Sequence, residues 1–485
     1  MSDVALDPET GAPATAPIAA ARPGDGLWSP GRRGLTTGLV LTITLVAFEA
    51  LAVATIMPVI ARDLTGSARG SGLYGWVFTA FFLGSLLGIV LVGGLIDRGG
   101  LVKPFIGGLA LFSAGLIVGG LAPSMPVLVG ARFLQGLGGG AIPPIAYVSI
   151  ARALPEVLRP RMFATLSTAW VLPGLIGPAL SGAVADNIGW RYVFLGLLPL
   201  ILIAGALTLP AISAVRPSEA GGADPFAEVR RRLPGALLVT VGAGLAVAGL
   251  TSGTIIPGVP LVAAGVVAGV PAFARLTPPG TLRAARGLPS AVLLRGVLTF
   301  AFFCADAYVP LALQDWRGLD ATASGIALTA ATLSWTAGAW IQARRFARWG
   351  ARRFVRLGFL TVVVGILGFG AVLAPAVPIV VGIVMWGVAG FGMGLSYAPL
   401  SLTVLAEAAE GEQGSASSGL QLSDVVGTAL GTGVGGAIIA AGAAATLPGW
   451  IGLAGTFGVG VAAALGGAIV AGRLPGPRAS AAVPH

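Results

Sequence analysis

Asp97-Arg98-Gly99-Gly100-Leu101-Val102-Lys103-Pro104 and Ala347-Arg348-Trp349-Gly350-Ala351-Arg352-Arg353-Phe354 align without gaps at an offset of 250 residues. Each is short, basic and glycine-bearing. Each also lies between two apolar runs long enough to cross a bilayer, which takes about 20 residues. A loop repeated in this way marks a transporter made of two related halves, with the binding site between them near the midplane.

Outward from these loops, apolar runs separated by glycine, proline or charge give fourteen candidate spans: 34–60, 72–96, 104–122, 126–150, 162–186, 191–213, 234–253, 256–275, 289–313, 322–343, 354–374, 376–403, 417–443 and 449–472. Thr254–Ile255 alone part the seventh from the eighth, and Pro375 the eleventh from the twelfth. Fusing either pair would leave thirteen. Charge decides between the counts. With a cytoplasmic N-terminus, only Arg62, Arg69, Arg191 and Arg317 fall in outer loops, and Arg132 and Arg295 fall inside spans. The remaining 23 of 29 basic residues are cytoplasmic, which is the positive-inside pattern. An even count carries that pattern through to Arg473 and Arg478. The expectation is an all-α, multi-pass protein of the cytoplasmic (inner) membrane with both termini cytoplasmic.

Two six-helix bundles account for twelve spans, over 34–213 and 289–472. Residues 214–288 then supply a cytoplasmic linker and an inserted pair of transmembrane helices. Residues 1–33 and 473–485 are read as cytoplasmic tails. The first is rich in Ala, Pro, Gly and acids and lacks a periodic apolar face, as disordered segments do. No cleavable signal is expected, since positive charge arrives late, at Arg32-Arg33, before a helix too long for a signal.

Of the 485 residues 55% are apolar and 10% charged, against roughly a quarter charged in soluble domains. That balance excludes a soluble globular protein and a nucleic-acid binder. The net charge of +10 reports orientation and contact with anionic lipid. One cysteine, Cys304, excludes a disulfide framework and a cysteine-ligated metal. One histidine, the terminal His485, excludes a histidine triad or zinc site. An intramembrane enzyme would need a catalytic constellation, and no span holds paired motif carboxylates. No metal and no cofactor other than a proton gradient is expected.

The motifs now form an ordered set. Gly93-Gly94-Leu95-Ile96-Asp97-Arg98-Gly99-Gly100 resembles the G-x-L-x-D-R-x-G loop of the major facilitator superfamily. Arg132-Phe133-Leu134-Gln135-Gly136 resembles that family's R-x-x-Q-G motif on the fourth helix. Gly174, Gly177, Pro178 and Gly182 resemble the antiporter motif of its fifth. Phe48-Glu49 with Pro58 is similar to the first-helix motif of the fourteen-helix drug:proton antiporter branch, and the glycines from Gly414 to Gly435 to that branch's penultimate helix. The sequence departs from the pattern at Glu49, which replaces Asp, and at Leu51 and Ala54, which replace polar positions. Leu101 and Val102 replace a basic pair and leave Lys103 to supply charge. The resemblance implies a major facilitator fold with two inserted helices, and transport by alternating access.

Ionisable groups at bilayer depth are functional candidates, because burial costs at least ~2.5–3.5 kcal/mol on insertion scales. Glu49, near the midplane, is the candidate proton carrier, since opening to either side would rehydrate it. Arg132 should lie at similar depth and form a switchable pair with it; bracing the backbone is the alternative. Asp306 is the approximate repeat counterpart of Glu49, or else a vestibule residue paired with Arg317. Asp424 is expected in an ion pair at the cytoplasmic gate, with proton coupling as its other reading. Arg295, about four residues from its helix end, is expected to snorkel. By analogy with the family loop, Asp97, Arg98, Gly100 and Lys103 form a conformational clamp between helices, or a plain topology anchor. Gly174, Gly177, Pro178 and Gly182 read as a tightly packed, bendable seam. Gln135, Trp170, Tyr147, Trp335, Gln342, Trp386 and Tyr397 are candidate cavity residues. The reading is a monomeric, proton-coupled exporter of hydrophobic or amphipathic small molecules, in contact with membrane lipid and not with nucleic acid. Export of one endogenous lipid, metabolite or amino acid is the alternative.

Overall fold

The computed structural model describes residues 26–65, 74–215, 225–252, 255–319 and 321–476. Residues 1–25, Arg69, Arg216, Arg478 and His485 lie outside the described residues, as do the side chains of Leu51, Ala54, Pro58, Arg98 and Pro178.

Long apolar runs without a strand period fold as helices, because only helices satisfy every backbone group within one segment in lipid. In chain order they begin with α1 (Arg33–Thr65), α2 (Tyr74–Gly99), α3 (Val102–Gly120) and α4 (Met125–Ala153). A broken fifth crossing follows as α5 (Arg159–Thr168) and α6 (Val171–Asn187), then α7 (Arg191–Leu195) and α8 (Leu197–Ser213). The pair expected from the sequence as an insertion corresponds to α9 (Pro225–Thr251) and α10 (Ile255–Leu276). The remainder comprises α11 (Leu288–Asp306), the short α12 (Val309–Leu311), α13 (Ala321–Gly370), α14 (Ile379–Glu407), α15 (Gln413–Ala444) and α16 (Gly449–Val470). Among the described residues eleven helices are long and apolar enough to cross a membrane.

One of those eleven, α13, is a hairpin. Gly350 sits at φ 68°, ψ 172° inside it, a conformation essentially confined to glycine. Ala331 and Trp335 meet α14 at Gly390 and Gly394, running parallel to it, whereas Gly358, Gly365 and Gly368 meet Gly392, Ala389 and Met385, running antiparallel. The two arms therefore flank α14 in opposite directions. Gly100, the repeat partner of Gly350, also takes a positive φ, 75°, between α2 and α3. The two aligned loops thus share a backbone turn that their sequences mark with a glycine at the same aligned position. Gly350→Ala is expected to cost about 1–3 kcal/mol from backbone strain, read as a lower melting temperature of the purified protein. An unchanged melting temperature would show that the turn tolerates a side chain.

The repeat extends into helix packing. A Cβ at Gly136 or Gly140 on α4 would strike the carbonyls of Phe81 or Ser85 on α2. A Cβ at Gly390 or Gly394 on α14 would strike those of Ala331 or Trp335 on α13. The counterparts lie 250 positions apart on α2 and α13, and 254 apart on α4 and α14. Small residues let these backbones approach, since lipid tails supply no hydrophobic drive between helices.

The inserted pair is an antiparallel hairpin with glycine contacts, Gly242 against Gly265 and Gly269, and Gly249 against Gly258. Its Ala236 and Val239 join Leu86 and Val90 of α2 and Leu422 of α15 in one apolar cluster. It covers the seam between the halves on that side. Only 11% of the α10 span is buried, against 67% of the α2 span, so α10 is peripheral and α2 central.

The fifth crossing breaks at Ala169–Trp170, between α5 and α6. Pro173 explains the position: its ring collides with the carbonyl four residues back, that of Ala169. The sequence reading assigned the bend to Pro178, yet α6 runs unbroken through that residue.

Candidate functional site

Glu49 is fully buried on α1 and pairs with Arg132 of α4, 3% exposed, through a contact between Oε1 and Nη1. Gln135, one turn further along α4, donates from Nε2 to Glu49 Oε1 at 3.3 Å and accepts from Arg132 Nη1 at 3.0 Å. Arg132 Nε donates to the Val77 carbonyl at 3.3 Å, and its guanidinium lies 4.4 Å from the Phe81 ring centroid. The arginine is thus held from several directions, while Glu49 Oε2 is buried with no donor. A buried carboxylate oxygen without a partner is costly in low dielectric. It is also an open place for one proton.

A second constellation lies in the other half. Arg295 is fully buried on α11, seven residues past the helix start at Leu288 and too deep to snorkel. Its Nη2 donates to the Tyr397 carbonyl at 2.8 Å and to the Ser401 hydroxyl, and its guanidinium stacks 3.4 Å from the Tyr397 ring centroid. Tyr397 in turn donates its hydroxyl to Asp424 Oδ2 at 2.7 Å. Asp424 Oδ1 and Arg295 Nε and Nη1 are buried without partners. Tyr147 of α4 lies within electrostatic reach of both Arg295 and Tyr397, and packs edge-on against Phe163 at 4.8 Å. Arg295 and Tyr397, distant in sequence, therefore converge on Asp424, with Tyr147 of the other half near both of them. No single motif announced this group; its signals were separate, an arginine and an aspartate inside apolar spans and two tyrosines on other helices.

Trp386 is not a cavity wall. It is fully buried, stacked on Phe302 at 5.1 Å and set edge-on to Phe369 at 5.4 Å. The repeat supplies the reason: Trp386 occupies on α14 the position that Arg132 holds on α4. Its indole is beside Asp306, at the end of α11, as the guanidinium is beside Glu49. Trp335 continues the aromatic row, 5.8 Å from Phe302 and 5.3 Å from Tyr397. Gln342 is fully buried with both amide atoms unpaired. Trp170 is 45% exposed at the break between α5 and α6, and does not join Gln135. A Cβ added at Gly174 would lie 3.8 Å from the Thr332 methyl of α13, so the seam motif approaches the opposite half, while Gly177 is buried and Gly182 has open space around it.

The arginine-rich end of the bundle is closed. Asp97 of α2 accepts from the backbone N–H of Gly414 at 2.7 Å, and from the N–H and hydroxyl of Ser415 at 2.9 and 2.8 Å. It thereby caps the start of α15, where a negative charge complements the helix dipole. Arg152 of α4, which no sequence motif singles out, is 3.7 Å from Asp97 and donates to Gln413 Oε1 at 3.2 Å. Lys103 is exposed. Trp340 of α13 donates to the Thr168 hydroxyl at 3.0 Å and adds a second bridge between the halves.

At the opposite end Asp63 accepts from Trp190 Nε1 and Arg191 Nη1, both at 2.9 Å, and these donors hold its carboxyl below the usual carboxylate range. A depressed folded-state value stabilises above the unfolded value of about 3.9 and loses that contribution as pH falls. The melting-temperature gap between wild type and Asp63→Asn should therefore be present at neutral pH and close in strong acid. A gap independent of pH would assign it to packing.

Residues 39–432 match the sequence profile of the Major Facilitator Superfamily. A probable multidrug-efflux transporter of Mycobacterium tuberculosis is 29% identical over 422 residues, covering 84% of this chain and 88% of its own. The cephamycin export protein of Amycolatopsis lactamdurans is 34% identical over 221 residues, 44% of this chain and 43% of its own. Among solved structures, the human organic anion transporter MFSD10 superposes with a TM-score of 0.68 at 16% identity, over 90% of this chain and 99% of that one. The family and fold are those of multi-pass membrane transporters of small molecules rather than enzymes. With the profile spanning most of the chain and the fold matching, the protein belongs to the Major Facilitator Superfamily.

Proposed function

We propose that the chain is a proton-coupled exporter of hydrophobic or amphipathic drugs, working by alternating access. The observation that carries this is the Glu49–Arg132–Gln135 group, with one carboxylate oxygen paired and the other buried without a donor. A proton arriving at Oε2 neutralises Glu49 and weakens its hold on Arg132. The α1–α4 contact is then free to rearrange, which releases cargo and resets the carrier. The partly buried aromatic surface of Trp335 and Tyr397, near Tyr147, suits flat or amphipathic cargo through stacking. The relatives named for multidrug efflux support the same cargo class.

In this reading the chain is a monomer of the cytoplasmic membrane with fourteen crossings. The two arms of α13, α4 and the α5–α6 pair complete the count. The arginine-rich end is cytoplasmic, so the closure by Asp97 corresponds to an outward-facing state. A cysteine at Arg345, in a Cys304→Ser background, should resist impermeant reagents added outside sealed cells. Labelling there would overturn the orientation.

Purified protein in proteoliposomes, given an imposed pH gradient and a panel of lipophilic cations, neutral amphiphiles and lipids, tests the function. Gradient-dependent movement of several unrelated amphiphiles, abolished by a protonophore, is expected. Movement of one compound alone would favour a dedicated exporter, and movement indifferent to the gradient would remove proton coupling.

A further inference from the structure

A cavity of about 560 Å³ lies outside both constellations, between the inserted hairpin and α11, α15 and α16. Its size falls within the range of about 300–1,000 Å³ usual for small-molecule sites. Its walls are carbon almost throughout: Ala246 of α9, Val266 of α10, Phe300 of α11, Val426 of α15 and Ala463 of α16 are representative, and Ser423 brings the one lining hydroxyl. A wall of this kind leaves a polar cargo with unpaired groups.

Depth and charge narrow the occupant. On α11 the lining runs from Leu293 to Phe300, about 10 Å at 1.5 Å per residue, and begins five residues from the arginine-rich end. On α10 it ends at Phe273, three residues short of that same end. The cavity therefore occupies the half of the bilayer on the arginine-rich side. Three lining residues, Phe273, Leu282 and Val470, lie toward that end, and an arginine follows each within three positions: Arg275, Arg283 and Arg473. Arg275 and Arg283 are exposed. Arg473 donates to the carbonyls of Arg283 and Ala284 at 2.6 and 2.7 Å and so fixes the rim loop. An apolar shaft below an arginine rim at the membrane surface matches an acyl chain below a phosphate, the arrangement by which basic pockets between membrane helices hold anionic headgroups.

We propose that this cavity binds one anionic phospholipid, with an acyl chain against the inserted hairpin and the phosphate on the Arg275–Arg283 rim. The site is independent of Glu49 and of proton coupling. It gives the hairpin a lipid-holding task between two helices, α11 and α15, that carry Arg295 and Asp424.

The test is native mass spectrometry of the full-length protein released from detergent, with phosphatidylglycerol or phosphatidylcholine added. Wild type should retain one phosphatidylglycerol, at least tenfold more tightly than phosphatidylcholine. Gly466 lines the cavity and has nothing within 4 Å of an added Cβ, so Gly466→Leu has room to start a side chain there, and it should occupy the shaft and abolish retention. Arg275→Gln with Arg283→Gln should weaken phosphatidylglycerol at least tenfold and leave phosphatidylcholine unchanged. Monodisperse elution of each variant shows that it folds. Glycerol 3-phosphate should fail to displace the lipid, since it lacks the chain. Equal retention of both lipids, retention unaffected by Gly466→Leu, or displacement by glycerol 3-phosphate alone would overturn the proposal. Displacement of the lipid by an exported drug would make the cavity a cargo route and overturn it as well.

Discussion

Glu49→Gln is expected to abolish gradient-driven export while leaving the protein folded and able to exchange cargo across the membrane without a gradient. Glutamine keeps the volume and one acceptor oxygen, so Arg132 and Gln135 retain hydrogen-bond partners. What disappears is the titratable carboxyl proposed to carry the proton. Removing one partner of a buried ion pair outright costs about 3–5 kcal/mol. Glu49→Ala should therefore unfold or misassemble where Glu49→Gln does not, and the amide variant is the informative one. The readouts are uptake with and without a pH gradient, cargo counterflow, and proton release on cargo binding. Gradient-driven export at the wild-type rate in Glu49→Gln would move the coupling role to Asp306 or Asp424.

Asp97→Asn should open the arginine-rich end. Three donors from the start of α15 converge on two carboxylate oxygens, with Arg152 beside them. An asparagine nitrogen cannot accept, so at least one of these donors loses its partner and the helix start loses its counter-charge. Hydrogen bonds to charged groups contribute about 1.5–3 kcal/mol, and each 1.4 kcal/mol shifts a two-state population tenfold. A shift of roughly 10- to 100-fold toward the opposite access state follows. Ser418 is 2% exposed and is the residue a Cβ on Gly93 would strike, which makes it the reporter. A cysteine placed there, in a Cys304→Ser background, should react faster with impermeant reagent from the arginine-rich side in Asp97→Asn, and transport should fall. Unchanged labelling would reduce Asp97 to a surface cap.

The constellation around Glu49 was half legible. An acidic residue inside an apolar span stands out because burial is costly, and Arg132 with Gln135 one turn on points the same way. That Gln135 binds both partners, and that one Glu49 oxygen is left over, depends on how α1 and α4 are rotated against each other. The second constellation was scattered over three readings: Arg295 as a snorkeller, Asp424 as a gate residue, Tyr147 and Tyr397 as cavity wall. They come from α11, α15, α4 and α14, and chain spacing carries no information about which faces meet.

Hydropathy, the positive-inside asymmetry and the glycine aligned between two loops determined the helical class, the repeat and the turn at Gly350, because each is a local property of the chain. Lipid demands continuous helices and glycine alone tolerates those dihedrals, so no distant contact was needed to read them. Tertiary structure decided the rest. It placed Trp386 in the core where its repeat partner Arg132 is ion-paired with Glu49, set the bend at Pro173 instead of Pro178, seated Asp97 on the start of α15, and opened an apolar shaft beneath the inserted hairpin. Each depends on helix rotation and depth, which are fixed by close contacts such as Gly136 with Phe81 and Gly390 with Ala331. A few degrees of rotation exchange a lipid-facing side chain for a buried one, and only the packed bundle specifies that angle.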